Sequence, residues 1–394
     1  MLRFPFALLL SALLMSALVL PGPLQAQQDR PWRLVPADGI AARTHLILTV
    51  PQSGPDALSA LAAEIETRFD VTLTAEWPLQ SLDVHCLVFD TAGTTDLDAL
   101  ISRMRADPQI RTVQRMGEFE VMESIGRAPL VAAQGALRQI NAAAAHRIST
   151  GAGVRVGVID SAIDADHPDL ANRVADLRDF VGNAQDHAAE AHGTAMAGII
   201  AANAEDGLGM TGVAPRAELV GLRACWQPRD ETGRCNSFSL ARALNFAILN
   251  DVDVLNMSLA GPPDALLQEL VEAAEAAGVT VVAAAGENPE PAFPASLPGV
   301  IAAGNGSGPR VPAPALDVLS TAPDNRYRYV SGSSVAAAHV SGLVALLRAR
   351  HHDLDARDIA DALHGAIVMH RDVPMIDACE ALRALETSTV ACHD

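Results

Sequence analysis

Val156-Gly-Val-Ile-Asp160-Ser-Ala-Ile-Asp164 is the stretch on which the reading of the fold turns. Residues 154–159 form an apolar run rich in β-branched side chains, interrupted only by Arg155 near its start, as expected of a strand buried in a parallel sheet. Asp160 then falls at the strand's carboxyl end, the edge where open α/β sheets place their sites. Two later segments supply what a lone carboxylate lacks. His192 opens His192-Gly-Thr-Ala-Met-Ala-Gly198, in which Ala195, Met196, Ile199 and Ile200 bury one helix face and hold the imidazole at a helix start. Ser334 follows Gly332 in Ser331-Gly-Ser-Ser-Val-Ala-Ala-Ala-His-Val-Ser-Gly342 and opens a helix expected to run to Arg350. Its hydroxyl and backbone N–H therefore sit where a helix N-terminus favours negative charge. Acid, imidazole and hydroxyl are the parts of an oriented base and an activated nucleophile.

Outward from this centre, strand-like runs at 219–223, 252–257, 279–284 and 300–303 alternate with helical stretches at 239–250 and 264–277. The alternation predicts an α/β fold, a mostly parallel sheet in three layers with helices on both faces. Residues 356–363 and 379–385 read as further helices. Upstream, the periods predict strand 44–50, helix 56–69, strands 71–77 and 84–89, helix 97–105 and one final strand over 110–121. That βαββαβ order is the ferredoxin-like pattern of a small α+β domain.

The chain has 394 residues, 49% of them hydrophobic, enough for one large core and a smaller one. A net charge of −19 argues against a nucleic-acid partner. Arg3, the apolar run 4–20, Pro21-Gly-Pro23 and Leu24-Gln-Ala26 have the layout of a signal peptide cleaved after Ala26, with an uncleaved anchor as the alternative. Export to the periplasm or medium follows from the first reading. Cysteine spacing agrees: Cys225 with Cys235 and Cys379 with Cys392 suit two short-range disulfides in an oxidising compartment. Cys86 is left over, an oddity that disappears if its domain is removed, and the absence of C-x-x-C spacing argues against a metal site built from cysteines.

The order Asp, His, Ser is that of subtilisin and its relatives, and the resemblance extends beyond it. Residues 160–170 (DSAIDADHPDL), 192–198 and 332–342 are similar to the aspartate, histidine and serine motifs of the subtilase family. GVAP (212–215), VLNMSLA (254–260), VVAAAG (281–286) and FPASLP (293–298) also resemble family segments. The resemblance implies a serine endopeptidase with Asp160, His192 and Ser334 as its triad. Ser331 and Ser333 compete for the nucleophile's role, but the family's G-T-S pattern aligns Ser334, with Ser333 in place of Thr. His339, five residues on, is expected to be packed rather than catalytic. The βαββαβ unit resembles the family's propeptide, a folding aid and inhibitor whose last strand enters the active site; a permanent accessory domain is the alternative. The expected division is signal peptide 1–26, propeptide 27–125 and peptidase domain 126–394, with the junction between residues 122 and 135 and a monomeric product.

The resemblance further implies that Ser258, Leu259 and Ala260 pair with an extended polypeptide substrate as an added strand, and that Ala283, Ala284, Ala285 and Gly286 wall the pocket before the cut. No cofactor is required by this chemistry. Structural calcium occurs in the family, but no loop here is assignable to it, and Asp164, Asp166 and Asp169 read as a solvated turn. The main departure follows the wall. Where subtilases read A-A-G-N, the Asn donating to the oxyanion, this chain has Glu287, with Asn288 one place late. An ionised Glu only accepts and would oppose the developing charge. Either Glu287 is buried and protonated, or Asn288 shifts into place beside the Ser334 N–H, or catalysis is weak and the protein binds peptides without cutting them.

Overall fold

The computed structural model describes residues 32–36, 40, 44–91, 93–94, 96–121, 134–182, 189–203, 209–227, 233–288, 290–306, 308–385 and 392. The expected signal peptide and nearly all of the expected junction lie outside them.

The N-terminal unit contains β1 (His45–Pro51), α1 (Pro55–Phe69), β2 (Thr72–Leu79), β3 (Val84–Asp90), α2 (Leu97–Arg105) and β4 (Thr112–Arg115), followed by a short β5 (Glu118–Val121). Its sheet has the order β2-β3-β1-β4, antiparallel throughout. Side chains alternate across a strand, so the two faces separate cleanly. Leu46, Leu48, Leu87 and Phe89 pack with α1 and α2 residues such as Leu58, Ile65 and Leu100. Ile47, Trp77, Cys86 and Val88 join the core of the following unit instead. The single strand expected over 110–121 is two strands, because the chain breaks at Met116-Gly117 to dock. The Gly117 N–H donates to Ser237 Oγ at 2.8 Å, and a Cβ at Gly117 would lie 2.8 Å from that oxygen.

The second unit begins with α3 (Gly135–Gln139), α4 (Ala142–His146), β6 (Arg155–Asp160), β7 (Val174–Asp179), α5 (Ala191–Ala201), β8 (Glu218–Arg223), β9 (Cys225–Trp226), β10 (Arg234–Asn236) and α6 (Ser237–Leu249). It continues through β11 (Val254–Met257), β12 (Leu259–Ala260), α7 (Ala265–Ala276), β13 (Thr280–Ala284), β14 (Ile301–Gly304), β15 (Val311–Pro312) and the hairpin β16 (Val318–Ala322) and β17 (Arg326–Val330). The chain ends in α8 (Ser333–Arg350), α9 (Ala356–Gly365), the hairpin β18 (Ile367–His370) and β19 (Val373–Ile376), and α10 (Ala378–Leu385).

Seven strands form one sheet in the order β15-β14-β13-β11-β6-β8-β7, parallel at every junction. Both faces are covered. Val156, Val158, Val282 and Ala284 pack with α5 and α8, and Ile159, Leu255, Met257, Val281 and Ala283 pack with α6 and α7. This is the expected α/β three-layer fold. The N-terminal sheet shares the α6–α7 core, with Trp77 edge-on to Phe238 at 4.6 Å between ring centroids.

Candidate active site

Asp160 is the last residue of β6, in register with Arg223 on β8. His192 is the second residue of α5, and its Nδ1 lies 2.7 Å from Asp160 Oδ1, both side chains 1% exposed. The Ser161 N–H also donates to Asp160 Oδ1 at 2.7 Å, which fixes the carboxylate that orients the ring. The G-T following the histidine is explained by docking. A Cβ at Gly193 would lie 2.1 Å from the Ser161 carbonyl oxygen, while the Gly193 N–H donates to Ser161 Oγ at 2.9 Å. Thr194 Oγ1 accepts the Asp164 N–H at 2.9 Å and donates to the Glu190 carbonyl at 2.7 Å.

Ser334 is the second residue of α8 and fully buried, so its N–H lies in the first turn, where no intrahelical acceptor exists. The turn is held from the sheet. Asn256 Nδ2 donates to Ser258 Oγ at 3.0 Å, Ser258 Oγ donates to the Ser334 carbonyl at 3.0 Å, and Ser341 Oγ donates to Asn256 Oδ1 at 3.0 Å. Helices α5 and α8 pack together, and the first turn of α8 is tied to Ser258, just past the carboxyl end of β11, the strand that pairs with β6. Of the competing serines, Ser331 Oγ accepts the Asp317 N–H at 2.9 Å. His339 is buried with Nδ1 2.8 Å from the Val335 carbonyl, and burial pushes its pKa down to about 4. It is a neutral, packed histidine.

Strand β5 lies beside this edge. It is sandwiched in a four-stranded sheet of order β12-β5-β10-β9, antiparallel to β12 with Val121 opposite Leu259 and Glu120 opposite Ala260. On its other side Phe119 pairs with Cys235 of β10. The Phe119 ring is fully buried. It occupies the place that a Cβ on Gly261 would take, 2.1 Å from the nearest ring atom, and its centroid is 6.0 Å from that of Phe293. Leu259 and Ala260 thus pair with an extended segment, here one belonging to the chain's own N-terminal unit.

Similarity to known proteins decides the family. Residues 151–371 match the profile described as the subtilase family. The chain belongs to the subtilase family. Over 251 residues it is 33% identical to the major intracellular serine protease of Bacillus subtilis (strain 168), covering 57% of this chain and 77% of that one. It is 35% identical over 250 residues to subtilisin E of the same organism, covering 58% of this chain and 64% of subtilisin E. The crystal structure of fervidolysin from Fervidobacterium pennivorans, described as a keratinolytic enzyme related to subtilisin, has the same fold. It aligns with a TM-score of 0.70 at 20% identity over 88% of this chain and 61% of that one. Membership places the protein among serine-type endopeptidases.

Several residues of this subtilase fall where the motifs did not point. Glu190, which precedes α5, accepts from the Ala162 N–H at 2.8 Å, the Gln227 N–H at 2.8 Å and Arg223 Nε at 2.9 Å. It ties the loop after Asp160 to the end of β8 and to β9. Burial works against the Arg223 charge, but Glu190 and Asp179 outweigh it and raise its pKa. An acid beside Ala-His-Gly is no motif, so only the folded arrangement reveals it. Asn256 and Ser258 are likewise ordinary strand-end residues until α8 docks on them.

The reading of Asp164, Asp166 and Asp169 as a solvated turn requires correction. Asp166 is exposed, but Asp169 is only 4% exposed. Its Oδ2 accepts the Met210 N–H at 2.7 Å and the Tyr327 hydroxyl at 2.9 Å. Among the described residues no three His, Cys, Asp or Glu side chains converge as a cation site. The wall residues Ala283, Ala284 and Ala285 are fully buried at the end of β13. Glu287 and Asn288 are both exposed, so the burial on which a protonated Glu287 would depend is absent. Both expected disulfides, Cys225–Cys235 and Cys379–Cys392, are present. Cys86 is free and buried, and burial pushes its thiol pKa well up. No described helix is long and apolar enough to cross a membrane.

Proposed function

We propose that this subtilase is an exported serine endopeptidase that cuts extended segments of polypeptide substrates and is made as a self-processed zymogen. Ser334 Oγ attacks the scissile carbonyl while His192 Nε2 takes its proton. Asp160 holds the Nδ1–H and stabilises the imidazolium. The Ser334 N–H donates to the oxyanion. The His192 proton then passes to the leaving amine, and water releases the acyl group by the reverse sequence. Extended backbone pairing along Leu259 and Ala260 recognises an unfolded strand by its main chain, which suits an endopeptidase.

The observation that carries this reading is the seat of β5 between β12 and β10, with the Asp160–His192 pair at the same edge. A peptide held there in antiparallel register is held as a substrate would be, and the unit supplying it is an inhibitor until the chain is cut. The expected division at residues 125 and 126 belongs to this proposal. Intact mass and N-terminal sequencing of wild type beside Ser334→Ala test it. Wild type is expected to lose the N-terminal unit and the variant to keep it. Identical N-termini in the two would reject self-processing.

A further inference from the structure

Arg310 precedes β15 and is only 4% exposed. Its side chain crosses Gly304, the last residue of β14, where a Cβ would lie 3.2 Å from Arg310 Cδ and 3.4 Å from the Ala285 Cβ. From there the guanidinium reaches the loop that replaces the usual oxyanion asparagine. Nη1 donates to the Gly286 carbonyl at 3.2 Å and Nη2 to the Asn288 carbonyl at 2.6 Å. Two carbonyls of one short loop are therefore turned toward a single buried cation with a rigid fork of donors.

This clamp dictates where the loop's amides point. The Gly286 C=O and the Glu287 N–H belong to one trans peptide unit and face opposite ways, so a carbonyl aimed at Arg310 sends the Glu287 N–H out of the far side of the loop. Gly286 has φ +74, the left-handed conformation that lets successive amides converge on an anion. Among the described residues no acceptor takes the Gly286, Glu287 or Asn288 N–H. The loop leaves the carboxyl edge of β13, which pairs with β11, the strand leading into Ser258 and its contact with the Ser334 turn. These amides thus follow the carboxyl end of β13, beside the strand that leads to the Ser334 turn.

We propose that Arg310 is a positioning residue for the oxyanion hole. By holding the Gly286 and Asn288 carbonyls it aims the Glu287 backbone N–H at the oxyanion, beside that of Ser334, so the site works with a main-chain donor instead of a side-chain amide. The exposed Glu287 carboxylate then turns to solvent, and its charge no longer bars catalysis. This inference rests on the endopeptidase reading above.

The test uses full-length chains of wild type, Arg310→Met, Arg310→Lys and Glu287→Pro, the last of which removes the N–H with Arg310 intact. The readouts are kcat and KM on a chromogenic peptide, modification of Ser334 by a fluorophosphonate, and thermal melting. Arg310→Met and Glu287→Pro are expected to lower kcat by about 10²-fold, in line with the cost of one oxyanion donor measured in subtilisin itself, while KM moves less than about threefold. Arg310→Lys is expected to recover about tenfold of that loss, since an ammonium holds one carbonyl but not both. If Arg310→Met does not melt cooperatively, Glu287→Pro decides alone. A kcat in Glu287→Pro within about threefold of wild type, or a loss confined to KM, would overturn the inference. A wild type that neither cuts the peptide nor takes the fluorophosphonate at Ser334 would overturn the endopeptidase reading, and the inference with it.

Discussion

At the scale of the residue, this subtilase places its strongest constraints on the smallest groups. Gly193 has no space for a Cβ against the Ser161 carbonyl, and that oxygen is backbone that cannot swing aside. Gly193→Ala must move α5 away from the loop after Asp160 and lengthen the 2.7 Å contact that orients His192. The variant is expected to lose more than about 10²-fold in kcat while KM changes little. A near-normal kcat would show that α5 tolerates the shift. Asp160→Asn is the complementary change, because it keeps the shape but cannot hold the Nδ1–H tautomer. The self-cleavage rate of the full chain should fall by about 10⁴-fold, and a loss below tenfold would mean that Asp160 is not the orienting acid. Such residues were legible because chemistry restricts them to a few types in a fixed chain order. Glu190, Asn256 and Arg310 were not, because each acts through partners 24 to 85 residues away, such as Ala162, Ser341 and Gly286, that only the fold brings near.

At the scale of the element, α8 combines a first turn that carries the proposed nucleophile with a wholly buried middle, and His339 records the cost of that burial. Its folded pKa of about 4 lies below the ordinary 6.5. Stability is therefore full above pH 6.5 and is lost as pH falls from 6.5 toward 4, by at most about 3 kcal/mol for this single group. Melting followed between pH 7 and pH 4.5 should show a smaller acid loss in His339→Gln than in wild type, and equal losses would assign the acid sensitivity elsewhere. The outer cleft strand β10 depends on a different device. Cys225 and Cys235 face each other across the β9–β10 pair, closing a loop of ten residues' separation that holds one side of the seat of β5. Replacing both by serine should cost about 2–4 kcal/mol of stability and weaken capture of the N-terminal unit more than it weakens cutting of short peptides. The major strands and helices were legible from their periods because they are buried on both faces or carry a clear apolar stripe. The two-residue strand β9 and the break at Met116-Gly117 were not, since their pairing is decided by the surface they meet and not by any local pattern.

At the scale of the whole molecule, the question is what holds the N-terminal unit on the subtilase domain. Arg111 bridges to Glu269 at 2.8 Å, but both side chains are substantially exposed, and such a pair contributes only about 0–1 kcal/mol. Salt should therefore hardly release the unit. The apolar face of its sheet contributes more, with Trp77 against Phe238, together with Phe119, which is fully buried beside Gly261 and Phe293. The ring is also the side chain that ties β5 to β12 and its neighbours. Truncating a buried Phe costs about 3–5 kcal/mol in a folded core, and here much of that loss falls on docking, because the pocket belongs to the other unit. Phe119→Ala in the N-terminal unit, added in trans to the processed enzyme, should raise its inhibition constant by about 10²-fold or more. The same experiment at high salt should change the wild-type constant by less than about tenfold. If salt released the unit and Phe119→Ala did not, charge rather than the buried ring would hold the two together, and β5 would not be an anchored substrate strand.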